Sequence, residues 1–165
     1  MRRTITAIFA LAALSAPALA QDRVAIADIQ FGPQLAEKAD EYGQRELDYL
    51  ARELREDLER ELASVLGPNG LTLEVTILDA TPNRPTMEQA ASRGLHHSSI
   101  SIGGASLEAR LVSQSGETLE SFEYSWRSHS IRDVVGYGQW TDARRAMRRF
   151  ADDVGEGLTE TASGS

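Results

Sequence analysis

The sequence predicts a single α/β (α+β) domain in which a mixed four-stranded sheet carries two long helices on one face, in the order β-α-β-β-β-α. Three observations predict it. A leucine series at helical spacing, Leu47, Leu50, Leu54, Leu58, Leu62 and Leu66, lies between two segments of apolar alternation. Two further alternating segments are joined by a glycine turn, and a second amphipathic helix follows them. A strand, helix, strand unit within one sheet makes its strands parallel and its crossover right-handed, whereas hairpin-length links make the later strands antiparallel.

The first strand is RVAIADIQF, residues 23–31, where Val24 and Ile26 alternate with Ala25 and Ala27 before Gly32-Pro33 ends the run. The leucine series comes next, with charged residues almost everywhere between, and Gly67 followed by Pro68 is expected to stop this helix. Asp48 with Arg52, and Glu56 with Arg60, are spaced for ion pairs along its outer face. The seam lasts about three heptads, which suits one helix covering a sheet, though a partner helix would show the same pattern.

LTLEVTILDA places Leu71, Leu73, Val75 and Ile77 on one face, with Thr72, Glu74 and Thr76 on the other. TPNRPT then opens a long loop in which Pro82 and Pro85 hold Asn83 and Arg84 in a stiff bend, followed by a short helical turn from Met87 to Gly94. SLEARLVS and TLESFEYSW are the last two strands. Leu107, Ala109 and Leu111 mark the inner face of one, Phe122, Tyr124 and Trp126 that of the other, and QSGE turns between them at Gly116. WTDARRAMRRFADDVGEGL is the second helix, capped by Thr141, with Ala143, Met147, Phe150, Val154 and Leu158 inward. TETASGS, residues 159–165, is expected to be a disordered tail.

Residues 1–20 have the layout of a cleaved secretory signal: Arg2 and Arg3, an apolar run from Ile5 to Leu14, then Pro17 and Ala18-Leu19-Ala20. The mature domain, residues 21–158, is therefore expected in the periplasm, and no apolar stretch after the signal is long enough for a membrane helix. The chain has no cysteine, which excludes disulfides, thiolate catalysis and an acylated N-terminal cysteine. Cleavage removes two of 17 basic residues and none of 25 acidic ones, for a mature net charge of about −10. Such a surplus repels nucleic acid and anionic lipid unless a local basic patch is kept.

The strand directions carry loops 80–99 and 127–140 to one end of the sheet, beside the end of the first strand and the start of the second helix. His96, His97 and His129, all the histidines of the chain, fall on that rim, with Asp28, Arg84, Asp133, Tyr137 and Trp140. Several chemistries compete for it. Gly103-Gly104 precedes a strand rather than a helix, so it is no phosphate cradle, and a bulge or close approach of a second strand explains the pair. The serines of HHSSIS lack a G-x-S-x-G elbow. The histidines with Asp79 or Asp133 would suit a metal site or the general base of a hydrolase, yet neighbours on an extended chain point to opposite sides, and solvated loop histidines fit equally. Arg144, Arg145, Arg148 and Arg149 are the one concentrated positive cluster. They suit recognition of an anionic ligand, or a salt-bridged outer face through Arg148 with Asp152 and Arg149 with Asp153. Trp126 follows the buried period of its strand, and Trp140, just outside the helix cap, is expected to be the more exposed.

LTLEVTILDATPNRP, SIGGASLEARLVSQSGETLESFEYSW and WTDARRAMRRFADDV together resemble a family of small exported proteobacterial envelope proteins, many of them lipoproteins, grouped as a domain of unknown function. The likeness runs from about Val24 to Leu158, and the chain departs from the lipoprotein members in lacking a cysteine to acylate. The resemblance brings no catalytic residue with it. The expectation is a non-enzymatic periplasmic accessory or binding protein that needs no cofactor and meets an envelope protein or an anionic ligand. The candidate contacts are Arg84, His96, His97, His129, Trp140, Arg144, Arg145 and Arg148, with a histidine-based hydrolase or metal-binding protein as the alternative.

Overall fold

The computed structural model describes residues 23–163 apart from Asn69 and His97. The expected signal segment therefore lies outside the described residues. The sheet follows the predicted order, with its first strand broken in two. β1 (Val24–Ile26) and β2 (Gln30–Phe31) both pair parallel with β3 (Leu71–Thr81). Ile26 lies opposite Leu73 and Gln30 opposite Thr76, so three residues of one strand face two of the other, and the extra residue bulges. Backbone carbonyls freed by a bulge need donors. They are met by Arg55 of α3 (Gln44–Glu61), which donates to the Ala27 carbonyl at 2.7 Å and the Ile26 carbonyl at 3.4 Å and pairs with Asp28 at 3.3 Å.

β3 pairs antiparallel with β4 (Gly104–Val112), and β4 antiparallel with β5 (Thr118–Arg127). Five strands thus occupy four positions, β1 and β2 sharing the first. The turn between β4 and β5 places Gly116 at φ 86°, a conformation that penalises any side chain.

α5 (Thr141–Ser163) lies over β4 and β5 and against α3. Leu47, Leu50, Leu54, Leu58 and Leu62 of the leucine series join Leu73, Val75 and Ile77 of β3, Leu107 and Leu111 of β4, and Met147, Phe150 and Val154 of α5 in one core. Cutting any of these leucines to alanine removes packing worth about 2–5 kcal/mol. The other face of the sheet is polar and open, with Glu74, Arg110, Ser121 and Glu123 among its exposed residues.

The leucine helix ends a turn and a half earlier than Gly67 suggests, at Glu61. The chain after it is drafted by the sheet edge. Val24 N–H donates to the Val65 carbonyl, and Gly67 N–H to that of Val24, so Leu66 forms a β-bridge with Val24 instead of a last helical turn. The short helical turn expected from Met87 to Gly94 is α4 (Met87–Arg93), started by a capping box between Thr86 and Gln89, and two further short helices, α1 (Pro33–Ala36) and α2 (Ala39–Tyr42), stand where no element was predicted. α5 continues through Ser163, past Leu158, over residues expected to be a tail. The outer ion pairs of α3 are Arg52–Glu56 and Arg55–Glu59 rather than the two expected, because Gln44 takes Asp48 and Asp57 takes Arg60. No helix among the described residues is long and apolar enough to cross a membrane.

Candidate functional site

The two predicted loops do meet at one end of the sheet. The bend TPNRPT is pinned to the β5–α5 connection by Asn83 N–H to the Gln139 carbonyl (2.7 Å) and Arg84 Nε to the Tyr137 carbonyl (2.6 Å). Beneath these contacts lies a buried lock. Asn83 and Asp142 are both fully buried. Asn83 Nδ2 donates to Asp142 Oδ2 at 2.6 Å and to the Ser101 carbonyl at 3.2 Å, while Asn83 Oδ1 accepts from Asp142 N–H at 2.9 Å. Thr141 was the expected cap of α5, but its hydroxyl donates backwards to Gly138, and Asn83 takes a first-turn amide from across the rim. Asp142 Oδ1 accepts no hydrogen bond among the described residues and faces Arg145 at 3.6 Å.

The Gly-Gly pair belongs to this lock. A Cβ on Gly103 would lie 2.7 Å from the Asn83 amide, and one on Gly104 would lie 2.3 Å from the Trp126 carbonyl and 2.4 Å from Arg127 Cγ. The pair is thus the close approach its sequence suggests. Across Gly104, Arg127 reaches Asp79 at 2.9 Å. The β3–β4 register slips between Ile77 and Asp79, which turns Asp79 to the open face opposite Ser106 and gives Ala80 the buried place. Lys38 takes the other Asp79 oxygen at 2.6 Å. Burial works against the Lys38 ammonium, but its hydrogen bond to Asp79 and the charge of that carboxylate outweigh it and raise the pKa. Burial in turn raises the pKa of the adjacent Tyr42 hydroxyl.

The candidate residues part company here. Both oxygens of Asp79 are held by cations, so it is not free to orient an imidazole. His96 bonds Ser98 within its own turn, His129 is exposed on the other connection, and His97 lies outside the described residues. No three His, Asp or Glu side chains are gathered as metal ligands among the described residues. Asp28 sits halfway along the sheet edge rather than on the rim, because the strand resumes beyond it as β2. Trp140 is 5% exposed, stacked edge-on against Tyr42, with its indole N–H on Glu46 Oε2 at 2.6 Å. Trp126 is the more exposed tryptophan, with Arg149 lying 5.1 Å from its ring.

The arginine cluster is also divided. Arg144 pairs with Glu53 and donates to the Tyr49 hydroxyl at 2.9 Å. Arg145 stacks 4.3 Å from the Tyr137 ring. Arg149 is drawn to Trp126, and neither expected pair with Asp152 or Asp153 forms among the described residues. Arg148 alone of the four stands exposed without an ion pair or ring among the described residues. It overlooks a groove of about 560 Å³ between α3 and the start of α5, lined also by Glu46, Tyr49, Gln139, Trp140 and Arg144. A second groove, of about 460 Å³, lies on the open face beside the β1–β2 break. The Asn83–Asp142 lock and Glu46 were missed in the sequence; only Asn83 carried a signal, as the residue enclosed by two prolines.

No family model and no curated protein matches the chain. Among solved structures it is similar to a protein from Caulobacter crescentus described as a putative lipoprotein, at 14% identity over 86% of this chain and 87% of that one, with a TM-score of 0.34. It is also similar to a minor lipoprotein from Acinetobacter baumannii, at 12% identity over 88% of this chain and 94% of that one, with a TM-score of 0.35.

Proposed function

We propose that this is a non-enzymatic accessory protein of the bacterial envelope, exported to the periplasm by residues 1–20, that works by presenting its rim to another envelope protein. One observation carries the reading. Six of the seven large hydrophobic side chains exposed among the described residues stand on the two rim connections: Met87, Leu95, Ile100, Ile102, Ile131 and Val135. Exposed apolar side chains scattered singly are ordinary, whereas a cluster on one end marks an interaction surface. Its backbone is held from below by the buried Asn83–Asp142 lock, so little ordering entropy is lost on contact. Arg84, His96 and His129 stand on the same two connections and form the polar part of the contact.

The test is photo-crosslinking in cells from Met87 and Val135, which are 79% and 70% exposed, with Leu119 near the β4–β5 hairpin as the control. The expected result is the same envelope protein captured from both rim positions and not from Leu119. Equal capture from all three positions, or none from the rim, sinks the reading.

A further inference from the structure

The groove between α3 and α5 carries two opposite charges that meet no opposite charge. Glu46 receives two neutral donors on one oxygen, Gln139 Nε2 at 2.7 Å and Trp140 Nε1 at 2.6 Å, and is in no ion pair among the described residues. Arg148, one helical turn beyond Arg144, is likewise in none, and the two do not pair with each other. Arg144 also lines the groove but is already engaged, its Nη1 donating to the Tyr49 hydroxyl and pairing with Glu53. The volume of the groove suits a small molecule.

These groups specify a ligand by elimination. A simple anion would satisfy Arg148 but would meet the carboxylate of Glu46. A simple cation would meet the two guanidinium groups. A molecule with an anionic group at one end and an ammonium at the other answers both. We propose that this groove binds a small zwitterion, its carboxylate or phosphate held by Arg148 and its ammonium by Glu46. Tyr49 also lines the groove, with Arg52 and Arg144 near its ring at 5.4 and 5.8 Å. The chemistry is shared by a short peptide with free termini and by a phosphoethanolamine headgroup. The site adjoins the rim through Gly138, Gln139 and Trp140, but none of the six exposed rim hydrophobics lines it.

The chain has two tryptophans, and only Trp140 touches the groove, so Trp126 serves as an internal reference. Proton–nitrogen NMR of the full mature chain, titrated separately with trialanine and with glycerophosphoethanolamine, reads the Trp140 indole signal directly. The expected result is a saturable shift of Trp140, without one of Trp126, by at least one probe; which probe acts distinguishes a peptide source from a lipid source. Arg148→Gln, at an exposed position, and acetylation of the probe amine should each weaken binding roughly ten-fold or more, the scale of one lost charge-assisted hydrogen bond. The proposal is overturned if neither probe shifts Trp140 at about 10 mM, a concentration that would detect even weak binding. It is equally overturned if binding survives Arg148→Gln or acetylation undiminished. Rim crosslinking would be untouched by either failure.

Discussion

Replacing Asn83 by alanine should reveal how much the buried lock contributes. The substitution removes the Asn83 Nδ2 bond to the Asp142 carboxylate at 2.6 Å, the bond Asn83 Oδ1 accepts from Asp142 N–H at 2.9 Å, and the Asn83 Nδ2 bond to the Ser101 carbonyl at 3.2 Å. The bond to the carboxylate is charge-assisted and contributes about 1.5–3 kcal/mol, the two neutral ones about 1 kcal/mol each. The truncation also strands a fully buried carboxylate, which keeps only a long bond from Gly103 N–H at 3.3 Å and the charge of Arg145. Water entering the space left by the amide restores part of the loss, so the expected cost is about 3–4 kcal/mol. For a domain of this size that lowers Tm by roughly 10 °C. Equilibrium unfolding in urea should show a lower midpoint with an unchanged slope. The double variant Asn83→Ala/Asp142→Ala should cost less than the sum of the single ones, because the second change removes the stranded charge. A loss under about 1 kcal/mol for Asn83→Ala, or strict additivity in the double variant, would refute the lock.

Three further outcomes follow from the same coordinates. Both Lys38 and Tyr42 hold their protons more tightly folded than unfolded, so their contribution is complete below about pH 10 and fades as pH rises through the folded values. Urea midpoints measured from pH 8 to pH 11 should fall at the alkaline end, and less steeply in Lys38→Met. Gly104→Ala drives a Cβ into the Trp126 carbonyl and the Arg127 side chain; a loss of about 2–3 kcal/mol in thermal unfolding is expected, and a change within about 0.5 kcal/mol would contradict the close approach. Leu54→Ala should cost about 3 kcal/mol and Leu66→Ala distinctly less, because Leu54 is fully buried in α3 while Leu66 is half-buried in the edge bridge; chemical denaturation of the pair decides it.

Much of the fold was legible because it rests on periodicity. Leu73, Val75 and Ile77 alternate, Leu47 to Leu62 recur at helical spacing, and both patterns face the core as read. The rim was legible too, since strand direction alone brings the two connections to one end. What failed were inferences that stop at the single residue. Trp140 looks exposed beside a helix start, yet Glu46 and Tyr42, nearly a hundred residues away, bury it. Arg148 and Arg149 look paired with Asp152 and Asp153, yet a ring on β5 draws one of them away.

Amphipathic order along the chain therefore settled the layers, the strand directions and the end at which the long connections gather, because burying apolar rows is a local, repeating demand. Which polar groups meet was decided by packing. A hydrogen bond or ion pair depends on positions within a few ångströms, and the bulges at residues 27–29 and at Leu78 shift those positions without leaving a trace in the hydrophobic pattern.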